Sequence, residues 1–453
     1  MEQRAQLYAG YAVADITPPV GTEMTGFIAR EGPSIGVRDP LEARALVFKD
    51  AAGHHAALVA CDLIGLGRHL VARVRHSIGE LAGLAPEAIL LSCSHTHSGP
   101  ETGVLTTIAE PSLAYLAELE SRLVEVVVAA ARRLEPVALA IGETQVPDGL
   151  AINRVYRRIG RPDAYDRQLI VVRLERAGSA ASEAPLATMV GFACHAVALG
   201  AAERELSADF VAPLRRELEA AGTGPVLYIN GCGGDVNPAS MDARGREACD
   251  ALGHGLAQAA LIALGQAQPV AANGGVAAAS EWVPLPYQAL RSAEQAAAIL
   301  AAGREQLARH PAGSAASRIA QITEVDYALR LVRLHYGSEP LPEVQAEVQA
   351  LRLGPLAVVA LPGEIFSSLG RAIKQVSPFP PPRTLVAGWS NDNVGYVPDR
   401  DAYALGGYEV DTASRYYGHP AGWAPEAGDA LVASAQRVLV RLQAEGAPSS
   451  QAL

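Results

Sequence analysis

Three stretches of this chain repeat one order: an apolar β-type run, a helix-period segment, then a second apolar run. The first goes from Ala56–Cys61 (AALVAC) through a helix near His69–Ala82 to Ala88–Cys93 (AILLSC). The second goes from Leu186–Cys194 through a helix near Ala208–Ala221 to Val226–Ile229. The third goes from Leu356–Leu361 (LAVVAL) through a helix near Ile365–Val376 to Thr384–Ala387. Strand, helix and strand with short connections form a βαβ unit. Runs that are apolar throughout, rather than alternating, predict strands covered on both faces. The expectation is an α/β fold: a layered mixed-sheet domain built from several βαβ units, with its active site at the carboxyl ends of the strands.

Other elements fit around these units. Leu116, Leu119, Leu123, Val127 and Ala130 line one face of a helix between Pro111 and Pro136. Gly354-Pro355 predicts a hairpin between Val344–Leu353 and the LAVVAL strand. The stretch Ala289–His310 reads as a helix that is polar on one face, an insertion or lid rather than core. With no long Gly/Ser or Pro linker, residues 1–445 read as one catalytic-type domain, and 446–453 as a disordered tail.

Composition narrows the function. The chain has 453 residues, 49% hydrophobic and 19% charged, and a net charge of −11. Its basic runs are short, which argues against nucleic acid or an anionic membrane surface as partner. No apolar run reaches the ~18 residues of a membrane span, so no stable membrane insertion is expected. A homo-oligomer is compatible with the sequence. The five cysteines form no C-x-x-C pair. They read as reduced thiols, and the N-terminus lacks a signal-peptide pattern, so the expected location is cytoplasmic.

Polar and titratable residues gather where the βαβ strands end. Asp62 follows the first strand of unit one, and His95 and His97 follow its second, in SHTHSGP. His195 follows the first strand of unit two (FACH), and the loop NGCGGDVNP follows its second. Glu364 follows the first strand of unit three (LPGE), and Trp389, Asn391, Asp392 and Tyr396 follow its second. Singly these have bland readings: a strand-end histidine is more often a hydrogen-bonded structural residue, and Glu364 could simply favour a helix N-terminus. Jointly, two or three histidines and a carboxylate from separate strand ends form a zinc-type ligand set with room for water. Asp62 is a candidate for orienting a ligand histidine. Cys232 is a possible nucleophile without an evident basic partner. The remaining histidines, His419 among them, sit in helical or surface-like contexts.

These motifs resemble the catalytic domain of neutral/alkaline (non-lysosomal) ceramidases. The similarity rests on ADITPPVGTEMTGF, DPLEARALVF, SHTHSGP, INR, FACHAV, GGDVNP, LPGEIF, GYVPDRDAY and GGYEV, in that order. It implies a zinc-dependent amide hydrolase with ligands at His95, His195, Glu364 and Tyr396. It also implies His97 as the non-ligand histidine beside the metal, and Arg154 orienting or polarising the substrate. The family's serine in GDVSP is replaced here by Asn237, which cannot act as a hydroxyl nucleophile, so attack by metal-activated water is the implied mechanism, with Asn237 contacting substrate. No counterpart is expected for the family's secretion signal or C-terminal immunoglobulin-like domain. The expected substrate is therefore a small-molecule amide. An esterase or lactonase using the same zinc site, or a non-catalytic small-molecule-binding homologue, are the alternatives.

Overall fold

The computed structural model describes residues 7–179, 183–271, 275–337 and 339–445. The expected tail at 446–453 lies outside the described residues. All three βαβ units form, each with its two strands parallel. His55–Cys61 pairs Ile89–Cys93, Ala187–Phe192 pairs Val226–Asn230, and Leu356–Ala360 pairs Thr384–Ala387. The connecting helices are Arg68–Ala82, Val211–Ala220 and Ser367–Val376. The hairpin on Gly354 forms as well, with Gln345–Leu353 antiparallel to Leu356–Ala360.

Two sheets organise these units. The larger places the first two units at its opposite edges, with antiparallel strands between them. Its order is Val226–Asn230, Ala187–Phe192, Gln168–Arg176, Glu135–Gln145, Leu7–Asp15, Glu42–Asp50, His55–Cys61 and Ile89–Cys93. The smaller runs Val276–Pro284, Gln345–Leu353, Leu356–Ala360 and Thr384–Ala387. Facing side chains of the two sheets, including Leu46, Leu58, Leu90, Val172, Leu351 and Val358, form a shared core. The outer face of the larger sheet is covered by Arg68–Ala82 and Leu113–Ala131 at one end, and by Val211–Ala220 and Arg246–Gly265 at the other. Ser367–Val376 and Glu426–Glu445 cover the smaller sheet. The result is helices, sheet, sheet, helices, and it accounts for strands without polar alternation.

The helix Arg246–Gly265 is long and apolar enough to cross a membrane by length and composition. Its apolar face, with Leu252, Leu256, Ala260 and Ala263, is instead buried against the larger sheet. No membrane insertion is evident.

Sheet twist brings the strand ends together. Five antiparallel steps separate the two edge units, so on a flat sheet their carboxyl ends would lie at opposite rims. Sheets twist by roughly 20–25° per strand, which over the whole sheet sums to roughly 140–175°. That rotation turns the two edges to nearly the same direction. Asn230 Nδ2 then donates to Ser94 O at 2.8 Å, and Thr96 bridges Ala196 in parallel. The third unit is stitched between them: Cys93 N donates to Trp389 O at 3.1 Å, and Gly388 N to Asn230 O at 3.0 Å.

Candidate metal centre

Each strand end delivers its side chain through a short, constrained turn. His95 sits at φ 61°, a left-handed conformation uncommon for a non-glycine residue. Its amide donates to Leu63 O at 2.9 Å, and its ring stacks on Trp389, centroids 4.5 Å apart. His195 is held by its amide bond to Val236 O at 2.9 Å, inside the NGCGGDVNP loop. Glu364 and Tyr396 face each other in a two-residue parallel ladder. Five predicted residues thus meet at one place: His95, His97, His195, Glu364 and Tyr396.

The hydrogen bonds fix the tautomers. Nδ1–H of His95 donates to Ile64 O at 2.6 Å, that of His97 to Gly26 O at 3.0 Å, and that of His195 to Gly233 O at 2.7 Å. A carbonyl oxygen cannot donate, so each Nδ1 carries the proton and each Nε2 presents a lone pair inward. The Nε2 atoms of His95 and His97 are 3.1 Å apart. His195 Nε2 is 2.9 Å from Glu364 Oε2 and 3.3 Å from the Tyr396 hydroxyl, and His95 Nε2 is 3.6 Å from Glu364 Oε2. Burial and the neighbouring imidazoles push His97 well below its ordinary pKa. Burial and then Arg154 lower His195 to about 4. Burial alone would raise the Glu364 carboxyl, but the imidazoles of His95 and His195 outweigh it and hold it well below the usual range.

Four acceptor atoms therefore converge with one hydroxyl proton, that of Tyr396, among them. Facing lone pairs repel unless a cation lies between them. The three imidazoles could hold a metal ion: their nitrogens lie within 4.8 Å of one another. Zinc bonds of 2.0–2.1 Å at tetrahedral angles set ligand atoms about 3.3 Å apart, which matches the observed spacings.

Around this cluster the polar network is dense. Arg154 donates from Nε to Glu409 at 2.7 Å, from Nη1 to Asn237 Oδ1 at 3.0 Å, and from Nη2 to Gly234 O at 3.0 Å and the Tyr396 hydroxyl at 2.8 Å. Four of its five N–H groups are engaged, so it holds Tyr396 firmly and keeps little for a substrate. Asn237 lies beside it because Val236–Pro238 pairs antiparallel with Ala151–Asn153. Its Nδ2 meets only the weak acceptor Met241 Sδ, at 3.8 Å.

Sequence reasoning missed Tyr417, whose hydroxyl donates to Glu364 Oε1. Nothing in the run SRYYGHP marks one of its tyrosines over the other. Two expectations, for Asp62 and His419, are corrected. Asp62 touches no histidine; it pairs with Arg215 at 2.6 Å, and backbone carbonyls orient the histidine rings instead. His419 is not on the surface: its Nδ1 meets the Tyr287 hydroxyl at 3.2 Å, and its ring packs on Trp423 and Tyr417. Cys232 is buried against Gly370, and burial raises its thiol far above the ordinary range, which removes it as a nucleophile. Asn391 and Asp392 also lie off the site. Asn391 latches Leu91 N and Gln349, and Asp392 pairs with Arg68.

The sequence-predicted insertion spans residues 285–344, between two strands paired antiparallel. It holds helices Ala293–Arg309, Ala315–Ala320 and Tyr327–His335, joined through a π-helical turn at Gln321–Asp326. Arg318 donates to Ile28 O at 2.7 Å and Arg30 O at 3.0 Å, and Arg30 in turn donates to His97 O at 2.7 Å. On the other side Arg415 donates to Thr323 O at 2.7 Å, two residues before Tyr417. The insertion thus ties together the two loops that flank the histidines.

Residues 7–223 match the family described as neutral/alkaline non-lysosomal ceramidase, N-terminal. Over this segment the chain is similar to that family. The fold extends that likeness to nearly the whole chain. Neutral ceramidase from Pseudomonas aeruginosa superposes with a TM-score of 0.75 at 19% identity, over 99% of this chain and 76% of that one. A ceramidase complexed with C2 matches at the same score and identity, over 99% and 77%. No curated protein matches the chain. The family match and the fold together support a ceramidase-like hydrolase, and its buried histidine group could hold a metal.

Proposed function

We propose that this ceramidase-like chain hydrolyses a carbon–nitrogen bond in an amide, with zinc held by His95, His195, Glu364 and Tyr396. The observation that carries this reading is the donor balance: three inward Nε2 lone pairs and Glu364 Oε2 share one hydroxyl proton, that of Tyr396, while Tyr417 serves the other carboxylate oxygen. Zinc bound there supplies Lewis acidity, lowering the pKa of a water toward ~7 and polarising a carbonyl.

The chain's own groups do the rest. His97 Nε2 accepts the proton of the attacking water and returns it to the leaving amine, with its ring fixed by Gly26 O. Burial raises the Tyr396 phenol well above its ordinary range, and Arg154 opposes that by favouring the charged form a ligand needs. The remaining N–H on Nη1 of Arg154 and the Nδ2 of Asn237 are the donors open to a substrate oxygen. The five free, buried cysteines support work in a reducing compartment such as the cytoplasm.

Elemental analysis of purified protein and of His195→Ala, followed by turnover on matched amides and esters, tests this. About one zinc per chain, lost in the variant, with amides preferred, is expected. Metal-free protein that gains no activity on added zinc refutes it.

A further inference from the structure

A cleft of ≈ 230 Å³ opens between the insertion and the loop that carries Tyr417. Its wall is apolar at Ile322, and Arg330, Arg333 and Arg415 project into it, with Asp326 the one acidic lining residue. Arg330 is mostly buried, yet it makes no hydrogen bond or ion pair among the described residues. The nearby carboxylates are engaged elsewhere: Asp326 accepts from Gln321, and Glu339 pairs with Arg333 at 2.8 Å. Arg415 lies over the Tyr327 ring at 4.3 Å, and its buried Nε has no acceptor, although Glu324 and Asp411 are in its field. Guanidinium groups withdrawn from water without an acceptor are costly, and an anion fitted between them relieves that cost.

The cleft is joined to the histidine cluster through the loop that carries Arg415 and Tyr417. Arg415 precedes by two residues the tyrosine that bonds Glu364, and a Cβ on Gly418 would lie 3.5 Å from Arg330 Nη2. Two residues of chain and one tyrosine side chain put the Arg415 backbone within roughly 15 Å of Glu364. We propose that the cleft is an anion subsite of the same active centre, which takes the carboxylate or phosphate end of an amide substrate while the scissile bond lies at His95 and His97. The inference rests on the amide-hydrolase reading for its catalytic half and stands alone for its binding half. It makes the substrate a short acidic amide, and it gives the insertion the task of selecting it.

The test uses zinc-loaded protein, with Arg330→Gln and Arg330→Lys checked for unchanged zinc content. Calorimetric titration with glutarate and with inorganic phosphate separates the two anion types. Saturable binding of one of them, weakened about tenfold or more in Arg330→Gln and largely kept in Arg330→Lys, is expected. Turnover is then compared on six-carbon amides ending in a carboxylate or phosphate, on either side of the scissile bond, and on their neutral carboxamide counterparts. The anionic members should be preferred through KM, and Arg330→Gln should erase the preference while sparing the neutral ones. Anion binding lost in Arg330→Gln without turnover of any amide upholds the subsite and sinks the amide reading. Binding of neither anion, or equal turnover of charged and neutral amides, overturns the proposal.

Discussion

Replacing Gly26 by alanine tests the assignment of His97. A Cβ at this position would sit 2.6 Å from both Cγ and Nδ1 of His97 and 2.8 Å from its Cβ. Carbon contacts are comfortable near 3.5–4.0 Å, so the imidazole must retreat by about 1 Å. The retreat also breaks the Nδ1 bond to Gly26 O, which holds the Nε2 lone pair on target. Misplacing a reacting group by ~1 Å costs about 10²-fold in rate. The backbone at φ 92° adds strain of ~1–3 kcal/mol for any residue but glycine, and a chain of this size translates that into a few degrees of Tm. The assay pairs steady-state kinetics, on an amide that the parent protein hydrolyses, with zinc analysis of the same samples. The expected result is kcat down about 10²-fold with zinc retained. Undiminished kcat refutes the role of the ring, and loss of zinc makes His97 a ligand instead of the proton carrier.

The other predictions follow from the same contacts. Dialysis against a chelator should lower Tm by roughly 4 °C, because zinc at about a thousandfold over its Kd contributes ~4 kcal/mol; an unchanged melting curve refutes a tightly held ion. Asp62→Asn should destabilise by ~3 kcal/mol, since it leaves the buried Arg215 charge only Glu42 at 3.7 Å, yet leave zinc content intact. Zinc loss at full stability would restore Asp62 as a support of the ligands. Burial pushes His419 down to about 4, so the folded chain keeps it neutral where the unfolded chain takes up a proton. Its contribution is whole above pH ~6.5 and lost as pH falls through about 4, at most about 3 kcal/mol. His419→Asn should flatten that acid slope in denaturant titrations, and an unaltered slope would show that His419 does not carry it.

Local pattern made most of the fold legible. Apolar runs of strand length with helical segments between them can bury both faces only as βαβ units, and all three formed. The arrangement of those units was not legible, because it depends on twist accumulated over strands such as Glu135–Gln145, whose partners lie far along the chain. At the site, H-x-H, FACH and LPGE stood out because charged or titratable residues directly follow buried strands. Tyr417 and His419 did not, since they belong to an irregular loop whose position is set by contacts with Glu364 and Tyr287. Asp62 misled for a related reason. A carboxylate at a strand end looks the same in sequence whether its partner is an imidazole or, as here, an arginine on the helix Val211–Ala220.

The proposed zinc ligands are residues 95, 195, 364 and 396, so they arrive at different times as the chain is made. When the family-matched segment 7–223 has emerged, its three histidines are present, but neither the carboxylate nor the phenol that completes the set. The strands that turn His95 and His195 toward each other also await Val226–Asn230 at the sheet's edge. On that proposal zinc would not serve as an early nucleus, because a nascent chain offers the ion only loose imidazoles. Occupancy of the proposed site would thus mark the finished fold, acquired once the last βαβ unit has closed.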